Sequence, residues 1–195
     1  MDCGNIQWES PNTVIVTGPS KSGKTTFVDK IVRNHQFLFK KDKIRPVILY
    51  TLLAKPQKIY TDWEKDNLIV YRGVGSPSEK TFLETINFYI DPEVGGIVIF
   101  DDLGSEIDAN FKFYQNLVNV YSHHLNLDIF LLTHKIFGGK KLKDISHNIN
   151  KLIITSNPRD LSDITYLGGQ CFPKSKGIYS IYLNLYYLIF NRIPR

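Results

Sequence analysis

Short apolar runs alternate with amphipathic stretches along most of this 195-residue chain. Val14-Ile15-Val16-Thr17 is the first run. Residues 24 to about 36 follow it with Phe27, Ile31 and Val32 at helical spacing, which predicts a strand and then a helix with those three side chains inward. Residues 46–50 (PVILY) and 68–71 (LIVY) are two more runs of strand length. Ser76-Pro77-Ser78-Glu79 has the residues of a capping box with proline at the first helical position, so a helix is expected to about Ile90, burying Phe82, Leu83, Ile86 and Tyr89. Asp91-Pro92 ends it, and Gly95-Gly96 lead into the continuous apolar run 97–100. Asp108 is expected to cap a helix through about His124; residues 129–133 and 151–155 are predicted as further core strands. Asn157-Pro158-Arg159-Asp160 supplies an N-cap, a proline and an early acidic residue for a helix ending near Gly168-Gly169, and residues 178–190 predict one or two terminal strands. Strands that are apolar throughout belong to a sheet covered on both faces. The expected architecture is one α/β domain over residues 1–195, three-layered, with a mostly parallel central sheet and flanking helices.

The segment joining the first strand to the first helix is Gly18-Pro19-Ser20-Lys21-Ser22-Gly23-Lys24-Thr25, followed by Thr26. A glycine-bounded loop ending in Lys-Thr, between a strand and a helix, is a P-loop in its structural context. Gly18 and Gly23 let the backbone curl so that successive N–H groups face phosphate oxygens, with Pro19, Ser20, Lys21 and Ser22 forming the turn between them. Lys24 puts a cation on the β- and γ-phosphates, and the Thr25 hydroxyl is a ligand for Mg²⁺. The expected ligands are ATP and Mg²⁺.

Asp101 and Asp102 stand at the C-terminal end of the 97–100 run, where a parallel sheet binds its ligands. Asp101 suits the metal and Asp102 the attacking water; the bland alternative is an acidic turn. Adjacent carboxylates raise one another's pKa unless a cation neutralises them, which favours a metal between them and the phosphates. Thr133 and His134 end the 129–133 run at the same rim. His134 could sense the γ-phosphate or hold water, or the two residues could simply bond backbone groups. Arg159, in the first turn of its expected helix, either offsets transition-state charge as an arginine finger or pairs at the surface with Asp160 or Asp163.

Charge adds a little. The chain has a net charge of +5 and 24 basic residues, of which only six are arginine, so few positions could clamp phosphate from a lid. Two clusters could touch a phosphodiester backbone: Lys40-Lys41-Asp42-Lys43-Ile44-Arg45, and Lys140, Lys141 and Lys143 after Gly138-Gly139 in a segment expected to be flexible. Lysine runs are more often solvated faces, and both clusters are readable that way. Cys3 and Cys171 have no metal spacing, and two distant cysteines fit a reducing compartment. His123, His124 and His147 show no metal spacing either, and the Tyr and Phe content is attributed to core packing. No signal peptide or membrane-length apolar tract is visible, which predicts an intracellular protein.

Taken in order, residues 14–26, 97–103, Ser122-His123-His124 leading into 129–134, and 151–173 resemble the FtsK–HerA superfamily of ATPases. The resemblance is nearest to the poxvirus-type DNA packaging ATPases of Polinton (Maverick) elements and adintoviruses. Asn157-Pro158-Arg159-Asp160 and Gln170-Cys171-Phe172-Pro173 are its most particular tracts. The resemblance implies an ATP-driven ring of identical subunits that moves double-stranded DNA into a capsid, with a capsid or portal protein as a further partner. Its setting would be the host nucleus or a cytoplasmic virus factory. It also implies an additional strand, residues 129–133, between the two strands that carry the nucleotide motifs. Lys24 and Thr25 then serve phosphate and Mg²⁺, Asp101 the metal, and Asp102 the water. This chain departs from the pattern in having His134 where the sensor is commonly glutamine; an imidazole changes charge near pH ~6.5. It also has His123-His124 where relatives carry an arginine, which moves the finger role to Arg159. A HerA-like helicase or translocase, a small nucleoside or nucleotide kinase, and a weakly hydrolysing capsid assembly factor are the competing functions.

Overall fold

The computed structural model describes residues 8–39, 44–52, 57–135 and 140–155, all within one compact unit, Met1–Thr155. The expected helix from Asn157, Arg159 with it, and the expected terminal strands lie outside the described residues, as do Lys40, Lys41, Asp42 and Lys43.

Six parallel strands form one sheet: β1 (Thr13–Thr17), β2 (Val47–Thr51), β3 (Tyr71–Val74), β4 (Gly96–Asp101), β5 (Leu127–Thr133) and β6 (Lys151–Ile154). Their order is β3-β2-β4-β5-β1-β6. The expected additional strand, β5, therefore lies between β1 and β4, and the α/β three-layer fold is that of the additional-strand P-loop NTPases. The register aligns Thr17 with Thr133 and Ile154, and Asp101 with Leu132 and Thr51, so these strand ends share one rim.

Period-two alternation sorts the buried strands onto two faces. Val14, Val16, Val47, Leu49, Ile97, Ile99, Phe130 and Leu132 pack beneath α1 (Lys24–Arg33) and, after the short α2 (His35–Leu38), beneath α3 (Lys58–Lys65). Ile15, Ile48, Tyr50, Val98, Phe100, Ile129 and Leu131 pack on the other side. There they meet α4 (Glu79–Tyr89), α5 (Gly104–Ala109), α6 (Phe111–Asn116) with its π-helical continuation Leu117–Tyr121, and α8 (Lys140–Ser146). α7 (Ser122–His124) closes the long helix before β5. As expected, aromatics build this core: Tyr50 stacks on Phe100 with centroids 5.2 Å apart, and Phe113 meets Phe82 edge-on at 5.3 Å.

Four local expectations are corrected. The 68–71 strand begins only at Tyr71, because Asn67 takes a positive φ of 53° and Leu68 bonds back to Trp63, which leaves Leu68 and Ile69 packing as a loop. The cap of α4 is Ser78, whose Oγ accepts from the Thr81 N–H at 3.1 Å; Pro77 precedes it, and Glu79, the first helical residue, instead accepts from Asn116 and Tyr121. Tyr89, expected inward, is exposed. Asp108 lies inside α5 and caps nothing, since the helix after Leu103 breaks at Asn110 and resumes. The stretch between β2 and β3, left without structure by the sequence pattern, contains α3.

Candidate nucleotide-binding site

β1 ends at Thr17 and the loop turns sharply: Gly18 has φ 151°, Lys21 φ 64° and Gly23 φ 96°. Gly18 is required sterically, for a Cβ there would lie 2.0 Å from Thr155 Oγ1. Thr155, immediately after β6, hydrogen-bonds both Thr17 O and Ser22 Oγ, so the sixth strand props the loop from behind. α1 begins with Gly23 as its N-cap, with no side chain capping it and no acidic residue in its first turn. Its first N–H groups are thereby left for an anion.

Lys24 is buried, and its Nζ donates to Gly18 O at 2.7 Å and Pro19 O at 3.0 Å. Burial pushes its pKa below the ordinary lysine value, while the charges of Asp101 and Asp102 pull it back up. The cation thus sits on the carbonyls of its own loop.

On β4, alternation carries Ile97, Ile99 and then Asp101 to the face covered by α1 and α3. Asp101 is 4% exposed. Its Oδ2 accepts from the Tyr60 hydroxyl at 2.6 Å and, weakly, from Gln57 Nε2 at 3.4 Å. Burial pushes the Asp101 carboxyl above the usual carboxylate range; the Tyr60 bond opposes this, Asp102 adds to it, and Lys24 opposes it. Burial, and then the charge of Asp101, push the Tyr60 phenol far up, so it remains a donor.

Asp102 takes a left-handed backbone, φ 60°, and its N–H bonds Leu132 O at 3.3 Å. Its Oδ1 lies 2.7 Å from His134 Nε2, both side chains being partly exposed. The carboxylate expected to act on water and the residue expected to act as sensor are therefore joined. Thr133 Oγ1 accordingly bonds Lys135 O.

One cleft of about 450 Å³ is lined by Ser20, Lys21, Gly23, Lys24, Thr25, Thr26, Gln57, Asp101, Asp102, Leu132 and His134. It gathers most of the residues singled out from the sequence. Gly18, Pro19 and Ser22 shape the loop behind it. A second cleft of about 360 Å³ shares Asp102 and His134 and adds Gly104, Ser105, Asp108 and Leu142.

The lysine expectations fare differently. Lys140, Lys141 and Lys143 belong to a helix, α8, anchored by Leu142 and Ile145. From Lys140 on, a helix stands where a flexible segment was expected; Gly138 and Gly139 lie outside the described residues. Lys141 Nζ donates to Asp108 O at 2.5 Å, while the Lys140 side chain lies outside the described residues. Arg45, grouped with the first basic cluster, is fully buried and ion-paired with Asp128. It is removed from any nucleic-acid surface. His123, His124 and His147 are exposed, and no metal-binding group of three or more His, Cys, Asp or Glu occurs among the described residues. No helix of the described residues is long and apolar enough to cross a membrane.

Gln57 and Tyr60 were missed because α3 was missed. The available signal was Ile59, Tyr60 and Trp63 at helical spacing in an otherwise polar stretch.

No protein-family model matches the chain, and no curated protein matches it. Solved structures do. The cytoplasmic domain of the Thermomonospora curvata type VII secretion ATPase EccC superposes with a TM-score of 0.51 at 11% identity, over 76% of this chain and 20% of that one. The chain therefore spans about a fifth of that ATPase domain's length. PCH-2 of C. elegans gives 0.49 at 16% identity, over 84% and 40% of the two chains. The N-terminal domain of zonular occludens toxin from Neisseria meningitidis gives 0.45 at 22% identity, over 76% and 78%. With the strand order and the loop geometry, the EccC likeness settles the fold: this chain is built as a P-loop NTPase.

Proposed function

We propose that the chain is an ATP-hydrolysing motor that translocates double-stranded DNA, of the FtsK–HerA packaging type whose motifs it resembles. The observation that carries the enzymatic part is the convergence of Lys24, Thr25, Asp101, Asp102 and His134 on one cleft beside an uncapped helix N-terminus. The DNA-packaging part rests on the sequence resemblance.

The donor set fits the expected ligands. A desolvated ammonium and a desolvated carboxylate share the cleft, and each lacks the full countercharge that a metal–phosphate pair brings. Thr25 and Asp101 would hold Mg²⁺, which supplies neutralisation of phosphate charge. Lys24 and the N–H groups of the loop bind and orient the phosphates. With Oδ1 of Asp102 held by His134, Oδ2 is the oxygen left to take a proton from attacking water, and the imidazole at 2.7 Å keeps the carboxylate aimed. The same pair supports a second reading, a slowly hydrolysing nucleotide-dependent assembly factor, in which His134 withholds Asp102 from water. In the motor reading, copies assemble as a ring, a capsid or portal protein supplies the docking point, and Lys141 and Lys143 lie toward the DNA.

The test is ATP hydrolysis with and without long double-stranded DNA. A motor shows DNA stimulation that Lys24→Ala and Asp102→Asn each abolish, with losses of about 10²-fold or more. His134→Gln retains turnover and His134→Ala loses it. Turnover that rises in His134→Ala favours the assembly factor, and DNA-independent transfer of phosphate to a nucleoside refutes both.

A further inference from the structure

α3 comes closer to the chemistry than any motif predicts. It reaches the C-terminal end of β4 through Tyr60 and is fastened to the phosphate-loop helix at two points. Trp63 Nε1 donates to Asp29 Oδ1 at 2.6 Å, and Arg33 Nη1 pairs with Asp66 Oδ2 at 2.9 Å. Trp63 is wholly buried, with the Tyr60 ring 5.0 Å away. These contacts fix the Tyr60 backbone relative to α1 and leave its hydroxyl one position to occupy. There it donates to Asp101 Oδ2, on one of the two groups assigned to the metal.

We propose that Tyr60 is a positioning residue for the metal side of the cleft, committing one oxygen of Asp101 so that the other faces the ion at Thr25. The inference rests on the nucleotide-binding reading above but not on its DNA-motor part. The chemistry is that of a metal ligand's outer partner: a carboxylate with one oxygen held by a buried donor has lost its rotational freedom before the ion arrives. A phenol suits the place better than a hydroxymethyl group. It is rigid, and it spans the distance from α3 to β4 to donate to Asp101 Oδ2 at 2.6 Å. Gln57, one turn earlier and exposed, adds a long second contact at 3.4 Å to the same oxygen. Tyr60 lies in α3 and Gln57 is its N-cap, so the start of the helix presents donors to Asp101.

A purely structural role predicts something different. If Tyr60 served only to fill space against Trp63, Tyr60→Phe would keep the ring and change neither nucleotide nor metal binding. The two roles separate in an equilibrium experiment that needs no turnover. A fluorescent ATP analogue is titrated into wild type and Tyr60→Phe, once in excess EDTA and once at increasing Mg²⁺. The positioning role predicts equal affinity in EDTA, a Mg²⁺ half-saturation raised by about 10-fold in the variant, and an unchanged nucleotide limit at saturating Mg²⁺. It also predicts that in an Asp101→Asn background Tyr60→Phe has no further effect on the Mg²⁺ dependence, since its action passes through that carboxylate. An unchanged half-saturation in Tyr60→Phe overturns the proposal, as does equal weakening in EDTA and in Mg²⁺, which marks a packing defect. Should Tyr60→Phe fail to fold, Tyr60→Met, which also removes the hydroxyl from the buried position, carries the same comparison, and Mg²⁺ dependence identical to wild type again overturns the proposal. Wild type that binds no nucleotide under any condition defeats the underlying site assignment, a result distinct from either outcome for Tyr60.

Discussion

At the residue scale, the site trades stability for readiness. Asp101 is a nearly buried carboxylate whose pKa is raised by desolvation, so its ionised form is less comfortable in the folded chain than in the unfolded one. A group whose folded pKa lies above its unfolded value destabilises the fold above that folded pKa, and the penalty fades as pH falls through it. Asp101→Asn keeps an acceptor for Tyr60 and removes the charge. In metal-free buffer near neutral pH its Tm should exceed that of wild type by about 2–4 °C, a gain of roughly 1 kcal/mol, and the gain should shrink on acidification. Calorimetry across pH checks it; a lower Tm at neutral pH would show that Asp101 is held by more than Tyr60 and Gln57. This residue was legible in the sequence because an apolar strand delivers it, and strand ends in parallel sheets are where ligands sit. Tyr60 was not, because a tyrosine amid polar residues looks the same whether its hydroxyl faces solvent or a carboxylate from a strand 41 positions away.

At the element scale, the phosphate loop is supported by parts distant in sequence. Gly18 has room only for hydrogen where Thr155 Oγ1 approaches. Gly18→Ala should therefore cost about 2–3 kcal/mol in chemical denaturation and weaken nucleotide binding, through overpacking and an unfavourable φ. The cost should be smaller when measured in a Thr155→Ala background; strict additivity of the two changes would show that the clash does not decide the effect. The sequence motif accounts for the glycine as a phosphate cradle. Only the sheet order, which places β6 beside β1, reveals that it is also a site of close approach. Long apolar strands such as β1, β4 and β5 were readable because burial on both faces leaves a continuous run. The start of edge strand β3 was misread and the polar helix α3 missed because partly exposed residues mask the period in both.

At the scale of the whole molecule, the sheet has a chemical end and a sealed end. Arg45 and Asp128 lie at the opposite strand termini from the cleft, both fully buried, with Ser10, Asn12 and Asn126 hydrogen-bonded to one or other of the pair and Arg45 Nε left without a partner among the described residues. Burial pulls Arg45 down to about 10, which still leaves it charged at neutral pH. Arg45→Met strands a buried carboxylate and should cost about 3–5 kcal/mol by denaturant unfolding, while nucleotide affinity of the folded fraction stays at the wild-type value. A loss below about 1 kcal/mol would mean that Asp128 is satisfied by Asn12 and Ser10 alone.

The alternation that turns Asp101 beneath α1 and α3 hands the next residue, Asp102, to His134 and to the second cleft beside α5. Neighbours in the chain thus answer to different layers of the protein. Under the proposed chemistry, the layer of α1 and α3 registers that a metal-bound nucleotide is present, and the layer of α5 and α8 registers whether water has been set to work on it. Under that chemistry, one strand end would report occupancy through Asp101 and hydrolysis through Asp102, each to a different layer.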